Sequence, residues 1–292
     1  MTCCAPASPN AQHDTLLPLS TSSGPDLIVV PARFGSKRLP GKPLIRIAGR
    51  TLLERVVAVA REAAALARNA EVLVATDDER IAAHAAELGC AAVLTSPDIS
   101  SGSGRACAAA LSRAERPEIV VNLQGDAPFV PAPVVAGLME AARASAAAVA
   151  TPVVRMAWDE LDRMREHKQR APFSGTTCIR GTDGRALWFS KAIIPAMRDE
   201  AERRVREPFS PVFRHLGLYA YRLPALERFE QSHPSHYEQL EGLEQLRFLE
   251  MGLDILTVEI APPSHSMSGI DTAEDVALAE SLIARLGDPY RS

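Results

Sequence analysis

One segment does most to limit the folds open to this chain: LIVVPARFGSKRLPGKPL, from Leu27 to Leu44. It opens with a run, Leu27 to Val30, that is too short and too β-branched for a helix and predicts a buried strand of a parallel sheet. Because ligands of open α/β sheets collect at the carboxyl ends of strands, the loop that follows is a candidate binding site. That loop carries four cations, Arg33, Lys37, Arg38 and Lys42.

The make-up of the loop favours a ligand with several phosphates. Gly35 and Gly41 allow the backbone to approach a ligand closely, while Pro40 and Pro43 stiffen the loop. The cations supply the field that the oxygens of a triphosphate need. A solvated basic turn is the alternative, since basic clusters are common. The segment contains neither the P-loop pattern nor GxGxxG, so neither of those phosphate-binding motifs is present in it.

Composition narrows the class of protein. The 292 residues, 47% hydrophobic and 23% charged, suffice for one large domain with a sizeable core. A net charge of −4 argues against general nucleic-acid binding. The five cysteines lack the spacing of a disulfide scaffold or a zinc site, which favours a reducing cytoplasm. Residues 1–25 show no signal or membrane-span pattern, so we expect a disordered tail and no membrane contact.

The order of the patterns predicts a doubly wound α/β fold. In the first half, apolar strand patterns alternate with helical periodicity through short connections, which indicates a mostly parallel sheet. In the second half, Thr182-Asp183-Gly184 is a hairpin turn signal, so antiparallel strands are expected and the sheet is mixed. We expect the domain to span residues 26–288, with a small antiparallel lobe at about 155–235.

Three longer segments of the second half are each interpreted as one element. Residues 195–211 are charged with little apolar content and predict a surface loop or a dimer contact. Residues 213–221 predict a single strand, and residues 237–251 a single amphipathic helix closed by Gly252.

Two aspartates are candidate metal ligands. Asp126 follows a buried strand and a glycine, at the same sheet edge as the basic loop, and a carboxylate beside a triphosphate needs a cation, usually Mg²⁺. A turn aspartate is the alternative. Asp271 precedes the last predicted helix, where a helix cap is the alternative. However, Thr272 and Asp275 can form that cap themselves, which leaves Asp271 free to face a ligand.

The basic segment resembles the PARxxSxRLPGKPL signature of sugar-acid cytidylyltransferases, most closely that of the 3-deoxy-manno-octulosonate cytidylyltransferase family. The resemblance extends over roughly residues 27–286. It implies a glycosyltransferase-A-like, nucleotide-diphospho-sugar transferase fold, a homodimer, and Mg²⁺-dependent transfer of CMP from CTP to the anomeric hydroxyl of a sugar acid.

The resemblance also implies roles for particular residues. Asp126 and Asp271 would hold the catalytic Mg²⁺, and Arg33 and Lys42 would neutralise the leaving pyrophosphate. Lesser phosphate roles go to Ser36, Lys37 and Arg38. Nucleotide binding falls to a set from three loops: Pro31, Ala32, Arg33, Ser36, Lys42, Ser101, Gly102, Arg105 and Gln124.

Two motifs resemble the acceptor side of the same family, RHLGLY at residues 214–219 and LEQLR at 243–247. They imply sugar-acid binding by Lys191, His215, Tyr219, Glu244 and Gln245. On one strand, His215, Gly217 and Tyr219 would share a face. For Glu244 and Arg247 the alternative is an i,i+3 salt bridge on a solvated helix face.

The chain departs from the family pattern in four places. SGTxR reads Ser103-Gly104-Arg105, QGDE ends in Ala127, and Val-Lys-Val reads Thr177-Cys178-Ile179. The arginine of FSRxxIP is Lys191, and lysine cannot reproduce a bidentate guanidinium clamp on a carboxylate. We therefore expect the departures to weaken sugar-acid recognition more than CTP binding.

Three functions remain open from sequence. The first is a sugar-acid cytidylyltransferase, and the second a nucleotidyltransferase for another acceptor. The third is a non-catalytic CTP-binding paralogue, which has no reason to keep both metal aspartates.

Overall fold

The computed structural model describes residues 24–35, 38–265, 267 and 269–290. The tail predicted at residues 1–25 falls outside these ranges except for its last two residues, and Ser36 and Lys37 also fall outside them.

Strands within the described residues form one large mixed sheet and one small hairpin. The hairpin is β2 with β3, and the large sheet holds the other ten strands. The strands are β1 (Asp26–Ala32), β2 (Arg46–Ile47), β3 (Arg50–Thr51), β4 (Ala70–Thr76), β5 (Ala91–Leu94), β6 (Ile119–Asn122), β7 (Val149–Ala157), β8 (Thr176–Arg180), β9 (Ala186–Ser190), β10 (Phe209–His215), β11 (Tyr219–Arg222) and β12 (Ile255–Glu259).

The sheet order is β5-β4-β1-β6-β11-β7-β10-β8-β9, with β12 also pairing β7. Strands β5, β4, β1 and β6 run parallel, and β8, β9 and β10 extend the same sheet with antiparallel pairing. The predicted α/β fold with a mixed sheet is therefore confirmed, and so is the hairpin at Asp183-Gly184.

Helices cover both faces of the sheet. They are α1 (Leu52–Leu66), α2 (Glu79–Glu87), α3 (Gly102–Leu111), α4 (Ala132–Ala144), α5 (Trp158–Arg170), α6 (Glu200–Arg206), α7 (Leu223–Gln231), α8 (His236–Glu241), α9 (Gln245–Glu250) and α10 (Ala273–Leu286). Across the described part of the chain, none of them combines the length and apolar character needed to cross a bilayer.

Alternating side chains of β1 supply two separate cores. Ile28 and Val30 face one core with α1, α4 and α10, while Leu27 and Val29 face the other with α3, α7 and α9. All four side chains are buried, as expected for a central strand covered on both faces.

The segment 213–221, predicted as one strand, is two. Strand β10 ends at His215 and pairs β7 and β8, whereas β11 begins at Tyr219 and pairs β6 and β7. Between them the amide of Leu218 donates to the carbonyl of Leu216 at 2.7 Å, a tight turn that moves the chain to a new neighbour.

Two other single-element predictions are wrong. The helix at 237–251 is divided into α8 and α9, because Gly242 has a φ of +65° and its amide closes α8 onto the carbonyl of Glu238. The loop at 195–211 contains α6 and the start of β10. Sequence missed α6 because none of its residues is buried, so it has no apolar periodicity.

Strand register brings three loops to one edge of the sheet. Ala32 at the end of β1 pairs Thr76 of β4, and Val29 pairs Asn122 of β6. The basic loop, the loop beginning at Asp77 and the loop carrying Gln124 to Asp126 therefore emerge side by side, and the sequence predicted this for the first and the last of them.

Candidate active site

The loop after β6 crosses under the end of β1 at Gly125. A Cβ on Gly125 would lie 2.2 Å from the carbonyl oxygen of Pro31, so only glycine permits the crossing. The next residue is tied to the far end of the chain, because the carbonyl of Asp126 accepts from the amide of Ile270 at 2.9 Å. Asp126 and Asp271, distant in sequence, are thus brought together through their backbones.

The Lys42 ammonium lies between the two aspartates. Its Nζ is 2.8 Å from Oδ2 of Asp126 and 3.1 Å from Oδ1 of Asp271. Arg38 adds a second cation, 3.0 Å from Oδ2 of Asp271. One cation already bridges both carboxylates, so the pair is spaced to share a positive charge.

The last helix does not need Asp271 as its cap. Thr272 is the N-cap of α10, and its hydroxyl accepts from the amide of Asp275 at 3.3 Å. Asp275 returns the bond by accepting from the Thr272 amide at 2.8 Å. The prediction that Asp271 keeps its side chain free for another partner is confirmed, since that side chain faces Lys42 and Arg38.

The two carboxylates fit a magnesium ion in ligand type. They are hard oxygen donors, and Mg²⁺ is usually held by one or two carboxylates with phosphate oxygens and waters completing the shell. No group of three or more His, Cys, Asp or Glu ligands occurs among the residues that the structure describes. Any further ligands would therefore come from substrate and solvent.

A cavity of about 460 Å³ lies beside this carboxylate pair. It is lined by the basic loop, the loop carrying Gln124 to Asp126 and the start of α3, and it includes most of the predicted nucleotide residues: Pro31, Ala32, Arg33, Lys42, Ser101, Gly102, Arg105 and Gln124. Ser101 is the N-cap of α3, its hydroxyl accepting from the amide of Gly104 at 2.9 Å. A Cβ on Gly102 would lie 3.2 Å from Oε1 of Gln124, so glycine here lets α3 close onto that amide.

Arg105 reaches the cavity wall as a buried cation paired to Asp77. Its Nη2 is 2.8 Å from Oδ2 of Asp77, and its Nη1 donates to Oγ1 of Thr95 at 2.5 Å. The other Asp77 oxygen accepts from the amide of Phe34 at 3.2 Å. Asp77 therefore joins the base of the cavity to the basic loop. Sequence analysis left it unassigned, although an aspartate directly after a parallel strand is the same signal that singled out Asp126.

A second cavity of about 360 Å³ adjoins the first and shares Gln124 and Asp126 with it. Four of the predicted acceptor residues line it, Lys191, His215, Tyr219 and Gln245. Arg214, from the same RHLGLY motif, lines it too, and so does His265, to which sequence analysis gave no role.

His215 is held as a neutral imidazole. Burial, with a smaller contribution from the Lys191 charge, lowers the pKa of His215 to about 3. Its Nε2 lies 2.9 Å from Oγ1 of Thr151, and the same hydroxyl can donate its one hydrogen to the carbonyl of Leu218 at 2.8 Å or of Leu216 at 3.3 Å. Nε2 must then carry the proton and donate, which leaves Nδ1 as a hydrogen-bond acceptor. Tyr219 packs beside it, with ring centroids 5.5 Å apart.

Lys191 and Gln245 offer donors to the same cavity. Burial lowers the pKa of Lys191, and its ammonium donates no hydrogen bond to any residue that the structure describes. Gln245 is only 3% exposed, and its Nε2 lacks a hydrogen-bond partner within the described ranges. Both groups can therefore bind an acceptor oxygen without breaking an existing hydrogen bond.

Glu244 lies apart from the lining of both cavities. Its Oε2 accepts from the Ser103 hydroxyl at 2.9 Å, which links α9 to α3. The predicted alternative, an ion pair between Glu244 and Arg247, is wrong, because Arg247 pairs Glu238 at 2.5 Å. Binding of the acceptor by Glu244 stays a prediction.

A cavity lined by cations, a carboxylate pair beside it and an adjoining second cavity with hydrogen-bonding side chains fit a nucleotidyltransferase. The family model described as cytidylyltransferase matches residues 27–255. More narrowly, the chain belongs to the 3-deoxy-manno-octulosonate cytidylyltransferase family. It is 40% identical over 263 residues to that enzyme of Maricaulis maris (strain MCS10), covering 90% of this chain and 98% of the relative. The corresponding enzyme of Xylella fastidiosa (strain Temecula1 / ATCC 700964) is 42% identical over 265 residues, covering 89% of this chain and 98% of the relative.

One solved structure agrees with this assignment, and a second one shares only the fold. A CMP:2-keto-3-deoxy-manno-octonic acid synthetase complexed with CTP superposes with a TM-score of 0.75 at 32% identity, covering 90% of this chain and all of that one. A cytidylyltransferase from Leptospira borgpetersenii serovar Hardjo-bovis (strain JB197) superposes at 0.54 with 17% identity, covering 90% of this chain and 87% of that one, and shares the fold.

Proposed function

We propose that this protein transfers CMP from CTP to the anomeric hydroxyl of 3-deoxy-manno-octulosonate and releases pyrophosphate. The observation that carries the proposal is the carboxylate pair bridged by Lys42 where the two cavities meet. A nucleotide in the larger cavity would present its α-phosphorus to an acceptor in the smaller one. The names of the relatives fit this assignment, since the enzymes of Maricaulis and Xylella carry this activity in their names.

The chemistry needs no protein nucleophile. The acceptor hydroxyl gives up its proton to solvent and attacks the α-phosphorus in line, the bond from the α-phosphorus to the oxygen that bridges it to the β-phosphate breaks, and pyrophosphate leaves with that electron pair. Lys42, Arg38 and Arg33 are positioned to neutralise charge on the phosphates, a preorganised effect that requires no movement of solvent. Mg²⁺, held by Asp126 and Asp271, would polarise a phosphoryl oxygen as a Lewis acid.

Recognition of the acceptor rests on a cationic and hydrogen-bonding wall. Lys191 and Arg214 would attract the carboxylate of a sugar acid, while Nδ1 of His215 would accept from one of its hydroxyls. The lowered pKa of His215 keeps its imidazole neutral over the physiological pH range, so Nδ1 remains able to accept a hydrogen bond.

The proposal is tested by pyrophosphate release from CTP with a panel of sugar acids. We expect turnover with 3-deoxy-manno-octulosonate that stops in excess chelator and returns with Mg²⁺. Asp126→Ala should lower kcat by roughly 10³-fold, the scale of losing a preorganised electrostatic group. Asp159→Ala, which removes an exposed carboxylate on α5, is the matched control and should leave kcat unchanged.

Full activity in chelator would contradict the metal assignment. CTP binding without turnover on any acceptor would instead favour the non-catalytic alternative.

We also propose that the protein is a homodimer that associates through the antiparallel end of its sheet. Several large apolar side chains in the segment 173–240 are exposed: Phe173, Leu187, Val205, Phe209 and Leu240. They lie on α6, α8, β9, β10 and the loop before β8, the elements of the antiparallel end of the sheet, and a contiguous apolar patch there would be typical of an interaction surface.

A further inference from the structure

The ammonium of Lys168, in the last turn of α5, is surrounded by main-chain carbonyls. Its Nζ lies 2.5 Å from the oxygen of Ser174 and 2.6 Å from that of Lys191. The oxygens of Gly175 and Pro172 lie at 3.2 Å and 3.3 Å. An ammonium has three hydrogens, so four oxygens around it resemble the carbonyl shell of a bound monovalent cation more than a set of directed bonds.

This carbonyl cage, formed by the oxygens of Pro172, Ser174, Gly175 and Lys191, joins two walls of the acceptor cavity. Gly175 belongs to the loop between α5 and β8, and Lys191 follows β9. Both residues line the cavity. The Lys168 side chain is the link between them, because its ammonium donates to the Lys191 carbonyl and to the carbonyls of the loop at once.

The Lys191 peptide is held from its other side as well. Its amide donates to Oε2 of Glu241 at 2.8 Å. The hydroxyl of buried Thr177 donates to the Ala192 carbonyl at 2.7 Å and accepts from the Ile194 amide at 3.2 Å. The backbone of Lys191 is therefore fixed at amide and carbonyl, while its side chain stays available to the cavity.

The charge of Lys168 is unfavourable where it lies, which argues against a purely structural role for this residue. Burial, and then the nearby charge of Lys191, lower the pKa of Lys168, with Glu241 opposing them. A neutral hydrogen-bond donor would tie these loops without that repulsion. A second cation behind Lys191 does, however, raise the positive potential at the wall where an acceptor carboxylate would bind.

We propose that Lys168 is a positioning residue for the acceptor: a tethered cation in a carbonyl cage that fixes the Lys191 peptide and so directs Lys191 into the cavity. The identity of the acceptor rests on the proposed function, whereas the cage is a property of this chain alone. Two consequences follow. Removing the ammonium should impair acceptor binding while sparing CTP, and a small free cation should restore what the side chain supplied.

The test is Lys168→Ala, with KM measured separately for 3-deoxy-manno-octulosonate and for CTP. We expect the acceptor KM to rise by roughly tenfold or more, as for the loss of charge-assisted hydrogen bonds, and the CTP KM to change by less than about twofold. Potassium or propylammonium chloride should lower the acceptor KM again, while tetramethylammonium chloride, too large for the cage, should not. Arg170→Ala is the matched control, since it removes a cation from the same helical turn outside the cage.

A readout without turnover separates this proposal from the proposed function. The melting temperature of Lys168→Ala should rise in potassium or propylammonium chloride relative to tetramethylammonium chloride, with no such difference in wild type. If wild type proves inactive, the proposed function fails, and the comparison of melting temperatures still tests whether the carbonyl cage holds a cation. Should Lys168→Ala not fold, Lys168→Met keeps the aliphatic stem and is measured in the same way. Equal changes in both KM values, or no rescue by either cation in either readout, would overturn the proposal.

Discussion

Gly125 makes it possible for two strand ends to meet. The loop after β6 passes so close to β1 that any Cβ there would collide with the Pro31 carbonyl, and neither partner is a flexible side-chain end. On either side of this glycine, Gln124 faces the nucleotide cavity and Asp126 faces Lys42. A single methyl group would therefore displace both of these side chains together.

Gly125→Ala should lower the free energy of unfolding by about 1–3 kcal/mol, the usual cost of overpacking, and should also reduce kcat. The matched control is Gly137→Ala, in the interior of α4, where a Cβ meets nothing within 4 Å. That change should stabilise the protein by about 0.5–1 kcal/mol, because alanine loses less backbone entropy in a helix. Urea denaturation measures both. A Gly125→Ala protein as stable and active as wild type would show that the loop can move aside.

At the scale of elements, the sequence predicted those helices and strands whose ends are set by residues close by in the chain. Strand β1 stops where an apolar run meets a charged loop, and α10 starts at a cap whose two partners lie three residues apart. The same locality explains why the residue pattern could place Asp126 at the sheet edge of the basic loop, whereas Asp271 was joined to Asp126 only through the family resemblance. Their contact with Lys42 follows from the edge that all three share.

Sequence failed where an element is defined by distant partners. The break at 216–218 exists because the chain exchanges β8 for β6 as a neighbour, which no local pattern records. Helix α6 has no buried face and is joined to α5 by two ion pairs, Glu200 with Arg165 and Arg204 with Asp162. Those two arginines lower the pKa of Glu200 to about 2. Ion pairs between separate helices leave no periodic signal in the sequence of either one.

Helix α6 has no buried face but carries an exposed apolar side chain, which is typical of an element that packs against another subunit. Val205 on α6 is 88% exposed, and Phe209 at the start of β10 is exposed too. If this end of the sheet is the dimer contact, Val205→Glu combined with Phe209→Glu should convert dimer to monomer, since charge is depleted from interface cores. Light scattering measures the mass. Leu278→Glu, an equally drastic change at an exposed position of α10, is the control and should leave the dimer intact. A wild-type monomer, or a charged variant that still dimerises, would contradict the assignment.

At the scale of the molecule, the C-terminal segment closes onto the first βα unit. Arg55 of α1 is 1% exposed, and its Nη1 lies 3.0 Å from Oδ1 of Asp288, itself 10% exposed. Tyr290 follows, and its hydroxyl donates to the Val130 carbonyl at 2.7 Å, beside the acceptor cavity. The chain end thus braces both the helix after the basic loop and a wall of the active site.

Removing the Asp288 carboxylate should lower the free energy of unfolding, because the buried Arg55 guanidinium would lose its charged partner. Asp288→Ala leaves a buried guanidinium with the Ile47 carbonyl as its remaining close partner, and breaking a buried pair typically costs about 3–5 kcal/mol. Arg55→Met with Asp288→Ala should cost less than the two single changes added together, because no unpaired charge remains. Urea denaturation of the four proteins of this cycle gives the coupling energy.

The same cycle on an exposed pair of like chemistry supplies the contrast. Arg163 and Asp159 on α5 lie 2.7 Å apart with side chains 66% and 67% exposed, and such i,i+4 pairs contribute only about 0.3–0.5 kcal/mol.

Acid should weaken the buried pair between Arg55 and Asp288. Although burial opposes ionisation, the Tyr290 amide and Arg55 hold the pKa of Asp288 below its usual value. Its stabilisation is therefore present at neutral pH and is lost as the pH falls from the unfolded value near 3.8 through the lower folded pKa. Equal coupling energies in the two cycles would mean that the C-terminal segment does not brace the fold.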